Sequence, residues 1–90
     1  MKKRRLSNGL IYYEATASET TYLGGFGVCD DCGKYSETGY LVPVLNHYQC
    51  PCCFEEFVEF SKHYPEDDIY ELKTSLYFES MIPCDNIKFI

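Results

Sequence analysis

Two cysteine pairs, Cys29-x2-Cys32 and Cys50-x2-Cys53, are the residues of this chain best placed to do chemistry. A two-residue gap lets a tight knuckle aim both sulfurs at one point. Gly33, directly after the first pair, suits the left-handed turn that such knuckles use. Four thiolates in this pattern are a donor set of structural zinc. The spacing therefore predicts one structural Zn²⁺ on Cys29, Cys32, Cys50 and Cys53. Two neighbours offer alternatives. His47-x2-Cys50 would give a three-cysteine, one-histidine site, and Cys52 lies inside the second pair. The spacing favours Cys50 with Cys53, leaving His47 as a turn residue and Cys52 as an unused or packing thiol. Cys84, far along the chain, is expected to be a buried apolar side chain.

A set closed by four protein ligands keeps no position for water or substrate, which argues against zinc catalysis. His47 and His63 are the only histidines, and neither sits in a recognisable catalytic motif. The chain thus reads as non-enzymatic. Six cysteines in 90 residues could also form a disulfide scaffold. Against that, the basic start Met1–Arg5 is followed by Leu6, Ser7, Asn8 and Gly9 rather than by an apolar signal segment. No stretch approaches membrane-spanning length. The expectation is a cytoplasmic protein, where paired cysteines favour metal.

The elements that must position the cysteines follow from periodicity and punctuation. Aromatic and β-favouring residues predict a strand over Leu10 to Ala17, with Thr20 to Leu23 as a hairpin partner across an Ala17–Glu19 turn. Gly24, Gly25 and Gly27 break regularity ahead of Cys29, with no Gly-Lys-Ser/Thr to make a phosphate loop. Short strands are expected at Tyr40–Leu45, with Pro43 as an edge or bulge, and at Tyr48–Cys50, turning at Asn46-His47. Phe54, Phe57, Val58 and Ser61 predict a helix over Phe54–His63, stopped by Pro65. Ile69, Leu72, Leu76 and Tyr77/Phe78 predict a second helix over Glu66–Met81, closed by Pro83. Ile87 to Ile90 is a candidate strand.

Together these predict a single α+β domain stabilised by zinc, with short antiparallel strands and two helices. Residues 1–9 form a basic, flexible arm, 10–27 strands, 28–63 the zinc module, and 64–90 the C-terminal helix and strand. Because the second pair leads straight into a helix, the module resembles a treble clef more than a zinc ribbon. That resemblance implies a fold class and no single function.

Charge points to the kind of partner. The net charge is −6, yet Lys2, Lys3, Arg4 and Arg5 hold half of the eight basic residues. From Leu6 onward four basic residues face fourteen acidic ones, a balance of −10. A zinc ion with four thiolates would add −2. Phosphate contacts supply much of nucleic-acid affinity, so such a body disfavours nucleic acid and suits a basic protein surface. The predicted partner surface is Glu55, Glu56, Glu59, Glu66, Asp67, Asp68 and Glu71, with Tyr64 and Tyr70 as aromatic anchors. The rival reading is a zinc-module DNA- or RNA-binding regulator working through the basic arm Lys2–Arg5. A third is an adaptor for another host protein. The sequence leaves the oligomeric state open.

The segments Val28-Cys-Asp-Asp-Cys-Gly, Leu41-Val-Pro-Val-Leu-Asn and Gln49-Cys-Pro-Cys-Cys resemble small, acidic, zinc-binding proteins of phages and mobile elements. Within that type the chain is similar to type II-A anti-CRISPR proteins. The resemblance implies an inhibitor that binds Cas9, or another nucleic-acid-handling enzyme, in the bacterial host cytoplasm and blocks nucleic-acid engagement. It carries over no partner-contacting residue.

Overall fold

The computed structural model describes residues 1–89. Its centre is a five-stranded sheet built from β1 (Lys2–Arg5), β2 (Ile11–Thr16), β3 (Thr38–Val42), β4 (His47–Gln49) and β5 (Lys88–Phe89). The strand order is β4-β3-β2-β1-β5. All neighbours are antiparallel except β1 with β5, which are parallel. Three α-helices among the described residues accompany the sheet: α1 (Ala17–Thr20), α2 (Pro51–Phe60) and α3 (Asp68–Met81). The result is a small α+β fold.

Strand alternation assigns the two helical layers. Successive side chains of β2 point to opposite faces. Tyr13 meets Phe78 of α3 edge-on, with ring centroids 6.1 Å apart. Tyr12, the next residue, instead meets Phe54 of α2 at 4.9 Å. Tyr40, from β3, stacks on the same Phe54 at 4.0 Å. Helices α2 and α3 therefore cover opposite faces of the sheet. The main core lies on the α3 face, where Ile11, Tyr13, Leu41, Tyr48, Phe78 and Ile82 are buried together. Gly39 of β3 belongs to this packing. A Cβ there would lie 2.5 Å from the Gln49 carbonyl oxygen and 2.7 Å from the Tyr48 ring.

The basic run is not an arm. Lys2–Arg5 is β1, hydrogen-bonded between β2 and β5. Its period of two splits the four charges. Lys3 and Arg5 pair in register with Tyr13 and Ile11, on the α3 face, while Lys2 and Arg4 pair with Glu14 and Tyr12. Lys3 Nζ donates to Glu79 Oε2 at 2.8 Å, Arg4 forms an ion pair with Glu14, and Arg5 Nη1 donates to the Gly9 carbonyl at 2.9 Å.

Residues Thr20–Leu23, expected as a strand, are helical instead. Thr16 and Glu19 form a reciprocal capping box: the Glu19 N–H donates to Thr16 Oγ1 at 3.2 Å and the Thr16 N–H to Glu19 Oε1 at 3.0 Å. That cap starts α1, and a 3₁₀ turn over Thr21–Leu23 continues it. The β3–β4 turn also lies earlier than Asn46-His47. Strand β3 stops at Val42, Pro43 begins the turn, and Asn46 takes a positive φ of 55°. The α2 helix starts at Pro51, three residues before the expected start, because proline suits the first helical position. It ends at Phe60 rather than His63. A 3₁₀ turn at Pro65–Asp67 precedes α3. The last strand is confined to Lys88–Phe89, and Ile90 of the expected Ile87–Ile90 strand lies outside the described residues. No described helix is long and apolar enough to cross a membrane.

Candidate metal centre

The first knuckle folds on its own backbone. The Gly33 N–H donates to the Cys29 carbonyl at 2.9 Å and the Cys29 N–H to the Lys34 carbonyl at 2.9 Å. Gly33 takes φ 76°, a left-handed conformation that costs glycine little. The second pair is placed by α2. Cys50 is its N-cap, Pro51 follows, and Cys53 lies in the first turn. Both cysteines thus sit at the positive end of the helix dipole, which favours thiolate.

What joins the knuckles is the pair of aspartates between Cys29 and Cys32. Asp30 and Tyr48 bond both ways, once through the backbone and once through the carboxylate: the Asp30 N–H donates to the Tyr48 carbonyl at 2.8 Å, and the Tyr48 N–H to Asp30 Oδ2 at 2.7 Å. Gln49 Nε2 donates to Asp31 Oδ2 at 2.6 Å. Because Tyr48 and Gln49 directly precede Cys50, these bonds carry the first knuckle to the second. Sequence spacing did not single out Asp30 and Asp31. The available signal was their place inside the knuckle, where short acceptor side chains bond nearby backbone.

The Sγ atoms of Cys29, Cys32, Cys50 and Cys53 all lie within 4.8 Å of one another, and those of Cys32 and Cys50 are 3.7 Å apart. A disulfide needs about 2.05 Å, so these are free thiols. A tetrahedral ion with metal–sulfur bonds of about 2.3 Å has an edge of about 3.8 Å between sulfurs. The cluster has the size of that tetrahedron and could hold a metal ion. His47 is not part of it; its Nδ1 lies 3.3 Å from Asp31 Oδ1. Cys52 is exposed on the first turn of α2, outside the cluster. Cys84 is exposed too, contrary to expectation. It opens a turn after Pro83, while Ile82 occupies the core position before it.

The thiols do not ionise alike. Burial pushes the Cys29 thiol up, but the surrounding hydrogen bonds, above all from the Cys50, Cys32 and Asp31 backbone, more than offset this and bring it down to about 6. The Lys34 backbone lowers Cys32, yet sharing hydrogen bonds with Cys29 and Cys50, together with desolvation, leaves it raised. Cys53 is pushed up strongly, first by its hydrogen bond with Cys50 and then by desolvation. The bare cluster accommodates one thiolate readily and resists the next. A dication at the centre removes that conflict, because it stabilises every coordinated thiolate.

The predicted partner residues are only partly brought together. Glu55, Glu56 and Glu59 are exposed on α2. Glu66 and Asp68 are exposed at the start of α3, and Asp67 is half-buried there. Since the two helices cover opposite faces of the sheet, these acids form two groups and not one face. Glu71 is excluded from both: it is 6% exposed, and its Oε2 accepts the Ile11 N–H at 3.0 Å. Tyr64 and Tyr70 are exposed, as expected. His63 Nε2 lies 2.5 Å from Asp68 Oδ1 and ties the α2–α3 connection to the start of α3.

Comparison with protein-family models, with curated proteins and with solved structures finds no match to this chain.

Proposed function

We propose that the chain is a non-enzymatic docking protein in which one structural Zn²⁺, held by Cys29, Cys32, Cys50 and Cys53, fixes a scaffold for binding a basic protein surface. The four-sulfur geometry supports the zinc reading, and the closed ligand set makes the ion a scaffold rather than a catalyst. The order of knuckle, β3–β4 hairpin and ligand-bearing α2 supports a treble-clef-like module.

The observation that carries the docking reading is how charge is spent. Three bases of β1 are engaged within the fold: Lys3 with Glu79, Arg4 with Glu14, and Arg5 with the Gly9 carbonyl. Glu55, Glu56, Glu59 and Glu66 are exposed and have no ion pair among the described residues. Lys2, Lys34, Lys62, Lys73 and Lys88 are likewise exposed with no ion pair among the described residues, so the surplus of negative charge is local to α2 and the start of α3, next to exposed Tyr64 and Tyr70. Such a surface speeds association with a positively charged partner and makes it salt-sensitive. A nucleic-acid-handling enzyme, whose groove is basic by necessity, is the partner class that fits, and Cas9 is the first candidate on the resemblance given above.

The test is capture of partners from a bacterial lysate on the metal-loaded protein, followed by direct binding and DNA-cleavage assays with purified type II-A Cas9. The expected result is a saturable complex that added salt weakens and that Glu66→Lys, Asp67→Lys and Asp68→Lys together disrupt. A folded, charge-reversed variant that binds as well as the parent would overturn the docking surface.

A further inference from the structure

Helix α3 is inside out. Its buried side carries Glu71, Thr74 and Ser75 beside Phe78, while Ile69, Leu72 and Leu76 are 70%, 57% and 56% exposed. Their spacing of i, i+3 and i+7 places the three on one stripe, about 10 Å long. A helix on a soluble protein ordinarily buries that stripe and exposes its polar residues. Here the polar residues are bonded inward. Glu71 accepts the Ile11 N–H, and Thr74 Oγ1 donates to the Tyr70 carbonyl at 3.0 Å. Turning the helix to bury the stripe would break the Glu71 bond and strand the Ile11 N–H. The outward direction of the stripe is therefore held by the fold.

The charges beside the stripe select its occupant. The acids Glu66, Asp67 and Asp68 stand at the start of the stripe and the exposed Lys73 beside its middle, while Glu79 near the other end is paired with Lys3, so acids outnumber bases along it. Two copies joined antiparallel through the stripe would set Ile69 against the other copy's Leu76. That register brings the acidic start of each helix to the end of the other where Glu79 is already paired with Lys3. A parallel pair would stack the two acidic starts. The parallel pair opposes like charges directly, and a net charge of −6 on each chain acts against both arrangements. A partner of opposite charge meets no such penalty.

We infer that α3 lays Ile69, Leu72 and Leu76 into an apolar groove of a partner protein rimmed by lysine and arginine, the rim meeting Glu66, Asp67 and Asp68. This rests on the basic-partner reading above and adds to it the anchoring element and the mode, a helix seated in a groove. The apolar stripe supplies the buried centre and the acids the polar edge, the usual division of an interface.

The probe is a fluorescein-labelled synthetic 18-residue amphipathic helix of leucine and lysine, which presents an apolar strip between basic rims. Anisotropy titration with the full-length chain should give saturable binding, weakened at least tenfold by Leu72→Ser with Leu76→Ser and weakened in a salt-dependent way by reversal at residues 66–68. Absence of binding overturns the inference. Binding that the leucine variant leaves unchanged but charge reversal weakens also overturns it, while the acidic-surface reading survives. Sedimentation of the parent as a dimer that the leucine variant dissociates makes a second copy the occupant and overturns it as well. The leucine variant should keep the parent's circular dichroism and melting temperature. A sharp fall in melting temperature would show the stripe to be packed inside and end the proposal.

Discussion

Metal binding at the four-cysteine cluster should be steeply pH-dependent, and the steepness can be worked from the thiols. Only thiolates ligate, so every thiol protonated in the metal-free protein must release its proton on binding. Cys29 is brought to about 6 and is already ionised at pH 7.5. Cys32 and Cys53 are both raised and enter the reaction protonated. Binding therefore releases at least two protons. The apparent zinc affinity should fall at least about 100-fold for each unit that pH drops below about 7.5. The sign follows from competition: protons and metal contend for the same sulfurs, so acid weakens binding. Near pH 6, Cys29 also takes up a proton and the slope steepens by about one. Competition with a chromophoric chelator at several pH values measures the slope. Calorimetry in buffers of different ionisation enthalpy counts the protons independently. A slope of one or less would refute the reasoning, because the sulfurs could not then all be ligands drawn from this thiol cluster. Chelation should also unfold the protein, since binding and folding free energy are linked in small metal-held domains.

Two further outcomes follow from the packing. Phe78 is 2% exposed against Tyr13, so Phe78→Ala should destabilise the metal-loaded protein by about 3–5 kcal/mol, whereas Leu76→Ala, on the outward stripe, should cost under about 1 kcal/mol; urea melts compare the two directly. Burial raises the Glu79 carboxyl, but hydrogen bonds from Lys3 and Tyr13 outweigh this and hold it below its usual 4.5. Its contribution to stability is present above that value and lost as pH falls through the lower folded value. Glu79→Gln should therefore reduce stability at neutral pH and flatten the acid limb of the stability curve, measured by melting temperature across the acid range.

The sequence by itself determined the candidate metal centre, because a two-residue gap within each pair and a glycine after the first are local matters of backbone geometry. Each knuckle, including Gly33 with φ 76°, follows from residues close together in the chain, while the Asp30–Tyr48 and Asp31–Gln49 bonds bring the two pairs to one point. The main strands and helices were legible for the same reason, to within a few residues. Two stretches differ in type, Lys2–Arg5, which is a strand and not an arm, and Thr20–Leu23, which is helical and had a local signal of its own in the Thr16–Glu19 capping box.

Only the tertiary structure decided the rest. A run of four basic residues reads as an arm until a sheet forms on both sides of it, and then alternation divides its charges between two faces. Ile69, Leu72 and Leu76 announce a helix by their spacing, but spacing does not say which side meets the sheet. That was decided by the Ile11 N–H, sixty residues away, which the Glu71 carboxylate satisfies, and by Phe78 on Tyr13. The same contact withdrew Glu71 from the acidic surface, and the placement of α2 and α3 on opposite faces divided the remaining acids. A buried backbone donor needs an acceptor wherever the chain supplies one, and that need acts through space rather than along the sequence.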